Sequence, residues 1–292
     1  MSRAKSIDAT RPIHYEGTFH RDKSKSYDLS NVEMISRMYA SPEEIEQKYL
    51  TDPDLDKPFI LCEYTHAMGN SCGAMHKYTD LTDTEPLYQG GFIWDYIDQT
   101  LYKKDRYGKE FQAYGGDFGE RPTDYEFSAN GIVHGGERNP SPKMQEVKFN
   151  YQNITAEVRK DEVLIVNKNL FVNTDKYDCV VMVQRDGKLI RQTMLETDVE
   201  PLSEKLYRLP LPEEKKAGEY TVTVSFRLKE AEVWAPAGHE IAFGQYVYSV
   251  EGKKNVCTKP IDVIKSAHNI GVRGENFEVL FSFLNGGLVS YK

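Results

Sequence analysis

The chain has 292 residues, 39% of them hydrophobic and 28% charged, which is enough to bury the cores of two domains and part of a third. A formal charge of −8 argues against phosphate-backbone binding as a main task, so no nucleic-acid partner is expected. No apolar run approaches membrane-spanning length, so no membrane partner is expected either. Met1 to Ser6 lacks the apolar segment of a secretory signal, which leaves the compartment unknown with the cytoplasm favoured.

The polar segment up to Asp8 reads as the end of a helix, and Arg11 to Gly17 as a short strand closed by Gly. A polar loop from His20 to Ser30 follows, then an apolar stretch from Val32 to Met38 with Tyr39 at its end. Ser41-Pro42-Glu43-Glu44 predicts a helix start: an N-cap Ser, Pro in the first turn, and acids where the helix dipole favours them. The run Phe59 to Cys62, bounded by Pro58 and by Gly69-Asn70-Ser71, predicts a buried strand, with a helix from about Ser71 to Leu81. Glu63 then stands where that strand leaves the sheet, beside Tyr64 and His66. A carboxylate there is either a catalytic group, since chemistry gathers at the carboxyl ends of parallel strands, or a solvated helix-capping residue. Gly90 to Asp98 predicts the next strand. Strands alternating with helices argue for parallel pairing in an α/β sheet.

From Tyr107 to Pro142 the chain is rich in Gly, Asp, Tyr and Pro, the texture of a long loop that serves a site. Beyond Asn153 it turns to short alternating runs, Glu162–Asn167, Asp178–Gln184, Gly218–Leu228 and Ala242–Val250, with Asp186-Gly187 as a hairpin turn. This pattern predicts an immunoglobulin-type sandwich. Phe277–Phe283 and Leu288–Tyr291, joined by Asn285-Gly286-Gly287, predict two further strands, too few for a stable unit. Cys62, Cys72, Cys179 and Cys257 have no metal or redox spacing and read as free, buried thiols. The 19 Tyr and 13 Phe suit sugar stacking and core packing equally, and Trp234 reads as a packing residue.

Six motifs then carry a resemblance. Leu61-Cys62-Glu63-Tyr64-Thr65-His66-Ala67-Met68-Gly69-Asn70-Ser71 resembles the nucleophile signature of glycoside hydrolase family 2 β-galactosidases. Gly90 to Gln99, Tyr114 to Gly119 and Phe127 to Gly131 are similar to the signatures that follow it, and Arg11 to Gly17 and Met38-Tyr39-Ala40 to two that precede it. The resemblance implies a multidomain α/β plus all-β chain. Residues 1–152 would be the C-terminal half of a TIM (β/α)8 barrel, its last four strand–helix units. Residues 153–250 would be the immunoglobulin-like β-sandwich, and 251–292 the beginning of a C-terminal β-sandwich domain.

The implied activity is that of a retaining β-galactosidase, which uses two carboxylates about 5–5.5 Å apart and a covalent glycosyl-enzyme intermediate. By match to the motifs, Glu63 is the nucleophile and Tyr39 supports it, while His66, Trp94 and Asn130 bind the sugar. The Phe127 backbone carbonyl and Asn130 would be ligands of a sodium ion, in an incomplete site. Family enzymes also use magnesium, whose ligands, like the acid/base Glu of a Gly-Asn-Glu-Ser motif, precede the matched region. No such motif occurs in these 292 residues. The chain therefore reads as an internal portion with little activity of its own, whose partner is a β-galactoside and whose open half-barrel favours self-association. The alternatives are a non-catalytic carbohydrate-binding or assembly module, and a family β-glucuronidase.

Overall fold

A computed structural model describes residues 2–18, 29–53, 56–252 and 259–292. Most of the polar loop from His20 to Ser30, and Cys257, lie outside the described residues. The chain divides into two compact units: Met1–Met182 with Gln192–Pro210 and Val222–Tyr246, and Val183–Arg191 with Leu211–Thr221 and Val247–Lys292.

The first unit opens with helix α1 (Ser2–Ile7), followed by three parallel strands, β1 (Ile35–Met38), β2 (Phe59–Tyr64) and β3 (Tyr88–Ile93), in the order β1-β2-β3. Their apolar side chains share one core with the helices. Phe59, Leu61 and Tyr64 of β2 are buried with Ile35, Ile45, Met75, Leu81, Tyr88 and Val147. Helix α2 (Pro42–Glu44) starts where the sequence predicts: the Ser41 hydroxyl accepts from the Glu44 amide at 3.1 Å, satisfying one orphan donor of the first turn. It runs straight into a π-turn at Ile45–Tyr49, which keeps Ile45 fully buried.

Three expectations in this region differ. Arg11 to Gly17 forms no strand. Pro12 has no amide to give a ladder, and Ile13 instead pairs with Glu33, donating to its carboxylate at 2.6 Å and accepting from its amide at 3.0 Å. Helix α3 (His76–Thr84) starts five residues later than the Gly69-Asn70-Ser71 cluster suggested. Cys72 and Ala74 have φ of 65° and 56°, a left-handed backbone that cannot continue a helix. A two-stranded hairpin, β4 (Leu101–Lys104) with β5 (Glu110–Ala113), spans the entry to the expected long loop, and helix α4 (Met144–Asn150) follows the loop.

Beyond α4 the chain is all strand. β6 (Ile154–Val158), β7 (Glu162–Asn167) and β10 (Ser203–Arg208) form an antiparallel sheet in the order β10-β7-β6. β8 (Tyr177–Arg185), β9 (Lys188–Leu195), β11 (Gly218–Leu228) and β12 (Glu240–Val250) pair in the order β12-β11-β8-β9. On β6 and β7 every second residue is buried, the period-two pattern of strands with one face on a core. Trp234, expected to pack, is instead 65% exposed on the loop after β11. In the second unit, β13 (Asp262–Lys265), β14 (Asn269–Arg273), β15 (Glu278–Ser282) and β16 (Gly287–Tyr291) make a four-stranded meander. Two of these strands are missing from the sequence reading because Gly271 and charged ends interrupt their apolar pattern.

Cys62, Cys72 and Cys179 are free thiols, Cys72 and Cys179 buried and Cys62 half-buried. Burial pushes the Cys179 thiol up to about 12. Between the unfolded value, about 9, and 12, the folded chain holds a proton that the unfolded chain has lost. Stability from this group is complete below about pH 9 and falls as pH rises, by about 1.4 kcal/mol per unit. Urea unfolding at about pH 8.5 and about pH 10.5 is expected to show a larger loss for the parent chain than for Cys179→Ala. Equal losses would contradict this.

Candidate active site

The strand-end carboxylate owes its direction to a break in register. On β2, Arg37 of β1 faces Leu61, but the next residue, Met38, faces Glu63. On the other side Gly91 faces Leu61 and Ile93 faces Tyr64, so three steps along β2 match two along β3. Against β1 the extra residue is Cys62, a β-bulge in the middle strand of the sheet; against β3 it falls within residues 62–63, after an opposite extra residue on β3 between Tyr88 and Gly91. In a regular strand residues 61 and 63 would share a face, and Leu61 is fully buried in the core. The bulge turns Glu63 away from that face and leaves it half-buried at the strand end, the use to which bulges near active sites are put.

Tyr39 follows β1 as Glu63 ends β2. Its amide donates to the Glu63 carbonyl at 3.0 Å, and its Oη donates to Glu63 Oε2 at 2.7 Å. Tyr39 has φ of 56° and Thr65 has φ of 46°, so the residues on either side of this contact hold a backbone that costs a non-Gly residue of order 1 kcal/mol or more. Burial, then the bond to Glu63, then the negative charges of Glu63 and Asp95 push the Tyr39 phenol well above its ordinary value. Tyr39 is therefore a neutral donor throughout the physiological range.

His66 lies next in the row. Its ring centroid is 5.8 Å from that of Tyr39 and 5.8 Å from that of Phe127, which is 60% exposed. The Met68 amide donates to His66 Nδ1 at 3.4 Å, so the neutral ring that accepts this bond has its N–H at Nε2, which has no hydrogen-bond partner among the described residues. Trp94 ties the turn to β3: its carbonyl accepts from Ala67 at 2.9 Å and its amide donates to Tyr64 at 3.3 Å. A ladder then joins residues 95–98 to 130–133. The Asp95 amide donates to Asn130 at 2.9 Å, Ile132 to Asp95 at 2.9 Å, Val133 to Tyr96 at 3.1 Å and Asp98 to Val133 at 3.1 Å. Backbone hydrogen bonds thus link the strand end that carries Glu63 to the Phe127–Asn130 turn.

Asn130 is 2% exposed, and its Oδ1 is buried with no hydrogen-bond partner among the described residues. The Phe127 carbonyl likewise accepts no backbone hydrogen bond among them. Two oxygens without donors fit a hard cation such as sodium. No group of three His, Cys, Asp or Glu side chains among the described residues converges as a metal centre.

Sequence reasoning passed over two residues here. Asp95 accepts from Gln99 through Oδ2 at 2.9 Å, while its Oδ1 is buried without a partner among the described residues. Burial and then the charge of Asp98 raise its pKa, against the lowering effects of the Gln99 bond and the charge of His66. Asp98 is 8% exposed and accepts from the Gly131 amide at 2.5 Å, holding the turn that presents Asn130. Both acids sit in the Trp94-Asp95-Tyr96-Ile97-Asp98 run, and nothing in their spacing separates a site carboxylate from a loop one.

A hydrogen-bonded carboxylate at the carboxyl end of the middle strand of a parallel sheet stands where barrels and open α/β sheets gather their chemistry. Comparison with known proteins agrees: residues 1–156 match the family model described as glycosyl hydrolases family 2, TIM barrel domain. The chain belongs to glycosyl hydrolase family 2. Residues 163–249 match the model for β-galactosidase, domain 4. Among curated relatives, the chain is 49% identical over 290 residues to a β-galactosidase of Halalkalibacterium halodurans, covering 98% of this chain and 28% of the relative. It is 47% identical to one of Clostridium acetobutylicum (98% and 31%) and 45% identical to one of Bifidobacterium adolescentis (99% and 28%). The chain spans less than a third of the length of these relatives.

Proposed function

We propose that this chain carries the nucleophile side of a retaining β-galactosidase site. The observation that supports the reading most is the 2.7 Å bond from Tyr39 Oη to Glu63 at the end of β2. In this reading the ionised Glu63 attacks the anomeric carbon as the glycosidic C–O bond breaks, and Tyr39 stabilises the carboxylate and assists its later departure. His66 Nε2–H donates to a sugar hydroxyl and the Trp94 indole packs against sugar C–H groups. The Phe127 carbonyl and Asn130 Oδ1 would hold a sodium ion, which supplies fixed positive charge beside the substrate. We read the three-stranded and four-stranded antiparallel sheets of residues 154–250 as the two layers of an immunoglobulin-type sandwich, whose constant-type form also has four strands facing three.

The proton for the leaving oxygen comes from the second carboxylate of a retaining pair, and the Gly-Asn-Glu-Ser motif that would provide it is absent from these 292 residues. General acid catalysis is worth about 10²–10⁴-fold, so the chain by itself is expected to hydrolyse aryl β-galactosides at least that much more slowly than the H. halodurans relative. Its rate is expected to rise steeply with the acidity of the departing phenol, which then needs no proton. A rate near that of the relative, abolished by Glu63→Gln, would overturn the expectation.

A further inference from the structure

A cleft among the strand ends of β8, β9 and β10 offers chemistry that the Glu63 site does not use. Its volume is about 590 Å³, within the range of small-molecule sites. Tyr207 is fixed there by two bonds of its Oη, from the Asp198 amide at 2.8 Å and to the Asp198 carbonyl at 3.0 Å. Lys205 Nζ stands 5.3 Å over the Tyr207 ring and donates to the Asp198 carbonyl at 3.3 Å, and Lys229 Nζ donates to the Asp175 carbonyl at 2.6 Å. An ammonium has three donors, so each lysine keeps two for a ligand. The carboxylates of Asp178 and Glu196, which also line the cleft, take no hydrogen bond or ion pair among the described residues. Thr197, a residue only 7% exposed, adds a hydroxyl without a partner among the described residues.

This inventory selects a ligand class. Four carboxylates, Asp175, Asp178, Glu196 and Asp198, outnumber the two ammoniums and disfavour an anion. No three metal-ligating side chains converge among the described residues. What suits unpaired donors and acceptors side by side is a neutral molecule whose adjacent groups each donate and accept, as the vicinal hydroxyls of a sugar do. The loop after β11 supplies a stacking face. Glu232 and Ala235 exchange backbone bonds of 2.8 and 3.3 Å, holding Val233 and Trp234 at a two-residue tip. Glu232 is tied to the cleft wall by Lys176 at 3.2 Å, next to Asp175. Trp234 is 65% exposed, braced edge-on by His239 with ring centroids 5.6 Å apart. An indole held open to solvent on a loop that Glu232 and Lys176 tie to the cleft wall is suited to sugar C–H stacking.

We propose that this cleft, with Trp234 at its rim, is a second saccharide-binding site, separate from the Glu63 site and taking a neutral oligosaccharide. The chain has two tryptophans, Trp94 and Trp234, so in Trp94→Phe fluorescence reports on Trp234 alone. Titrating that variant with lactose is expected to give a saturable change, and with Trp94 gone the signal does not come from the indole near Glu63, whatever the fate of the galactosidase reading. Adding Lys205→Ala or Glu196→Gln, both at exposed positions, is expected to weaken it about tenfold, the scale of one hydrogen bond to a charged group. Far-ultraviolet circular dichroism checks that the variants fold. No saturable change in Trp94→Phe, or one that both cleft substitutions leave unaltered, overturns the proposal.

Discussion

Glu63→Gln is expected to remove β-galactosidase activity from any assembly of this chain with a polypeptide that supplies the second carboxylate. The loss should be on the order of 10⁴-fold or more in kcat, as when a nucleophile is deleted from a constellation that works as a unit. The amide keeps the shape of the side chain and still accepts from Tyr39 Oη, so packing and substrate affinity should change little. That separates a nucleophile from a structural carboxylate: kcat collapses while KM and the unfolding midpoint hold. A smaller substitution, Glu63→Gly, is expected to regain turnover with added azide, because an external anion can occupy the vacated space. The product should then have the inverted anomeric configuration, since one displacement inverts and two retain. Retained configuration from that variant would count against Glu63 as the nucleophile.

Gly131→Ala should be the most damaging single methyl in the barrel part. A Cβ at residue 131 would overlap the Asp98 amide nitrogen and the Val133 carbonyl, and would lie 2.6 Å from the Ile97 carbonyl carbon. All three are backbone atoms, with no rotamer to turn away. Accommodation has to part the 95–98 and 130–133 ladder and the Gly131–Asp98 bond, which together place Asn130. The expected cost is about 3 kcal/mol or more, read as a fall in Tm and as faster hydrogen exchange at the Ile132 and Val133 amides. Gly73→Ala is the control: its Cβ meets nothing within 4 Å, and stability should stay within about 0.5 kcal/mol. Equal behaviour of the two variants would contradict the packing described.

What the sequence revealed here depended on the range of the interaction. The strand at Phe59–Cys62 and the Ser41-Pro42 helix start are local: an apolar run between breakers and a hydroxyl three residues before an acidic turn. Both stand in the structure where the residues put them. The bulge at Cys62 is a relation among three strands and leaves no mark in any one of them, although it is what aims Glu63. The delayed start of α3 reflects left-handed residues at Cys72 and Ala74, which carry no Gly or Asn to announce them. The β4–β5 hairpin was hidden because its strands are only four residues each and Lys103, Lys104 and Glu110 interrupt any apolar alternation. Trp234 shows the limit of composition: a Trp in a strand-rich region suggests core, whereas a two-residue turn carries this one outward.

The central claim, that Glu63 is the nucleophile toward a β-galactoside, is tested most directly by covalent trapping. A fluorinated β-galactoside bearing a dinitrophenolate leaving group departs without help from a general acid, so the nucleophile alone can react, and fluorine beside the anomeric carbon slows hydrolysis of the product. Peptide mass spectrometry of the treated chain is predicted to place one fluorogalactosyl group on Glu63, with none on Glu63→Gln. No adduct at Glu63, or an adduct that persists elsewhere in Glu63→Gln, would contradict the account.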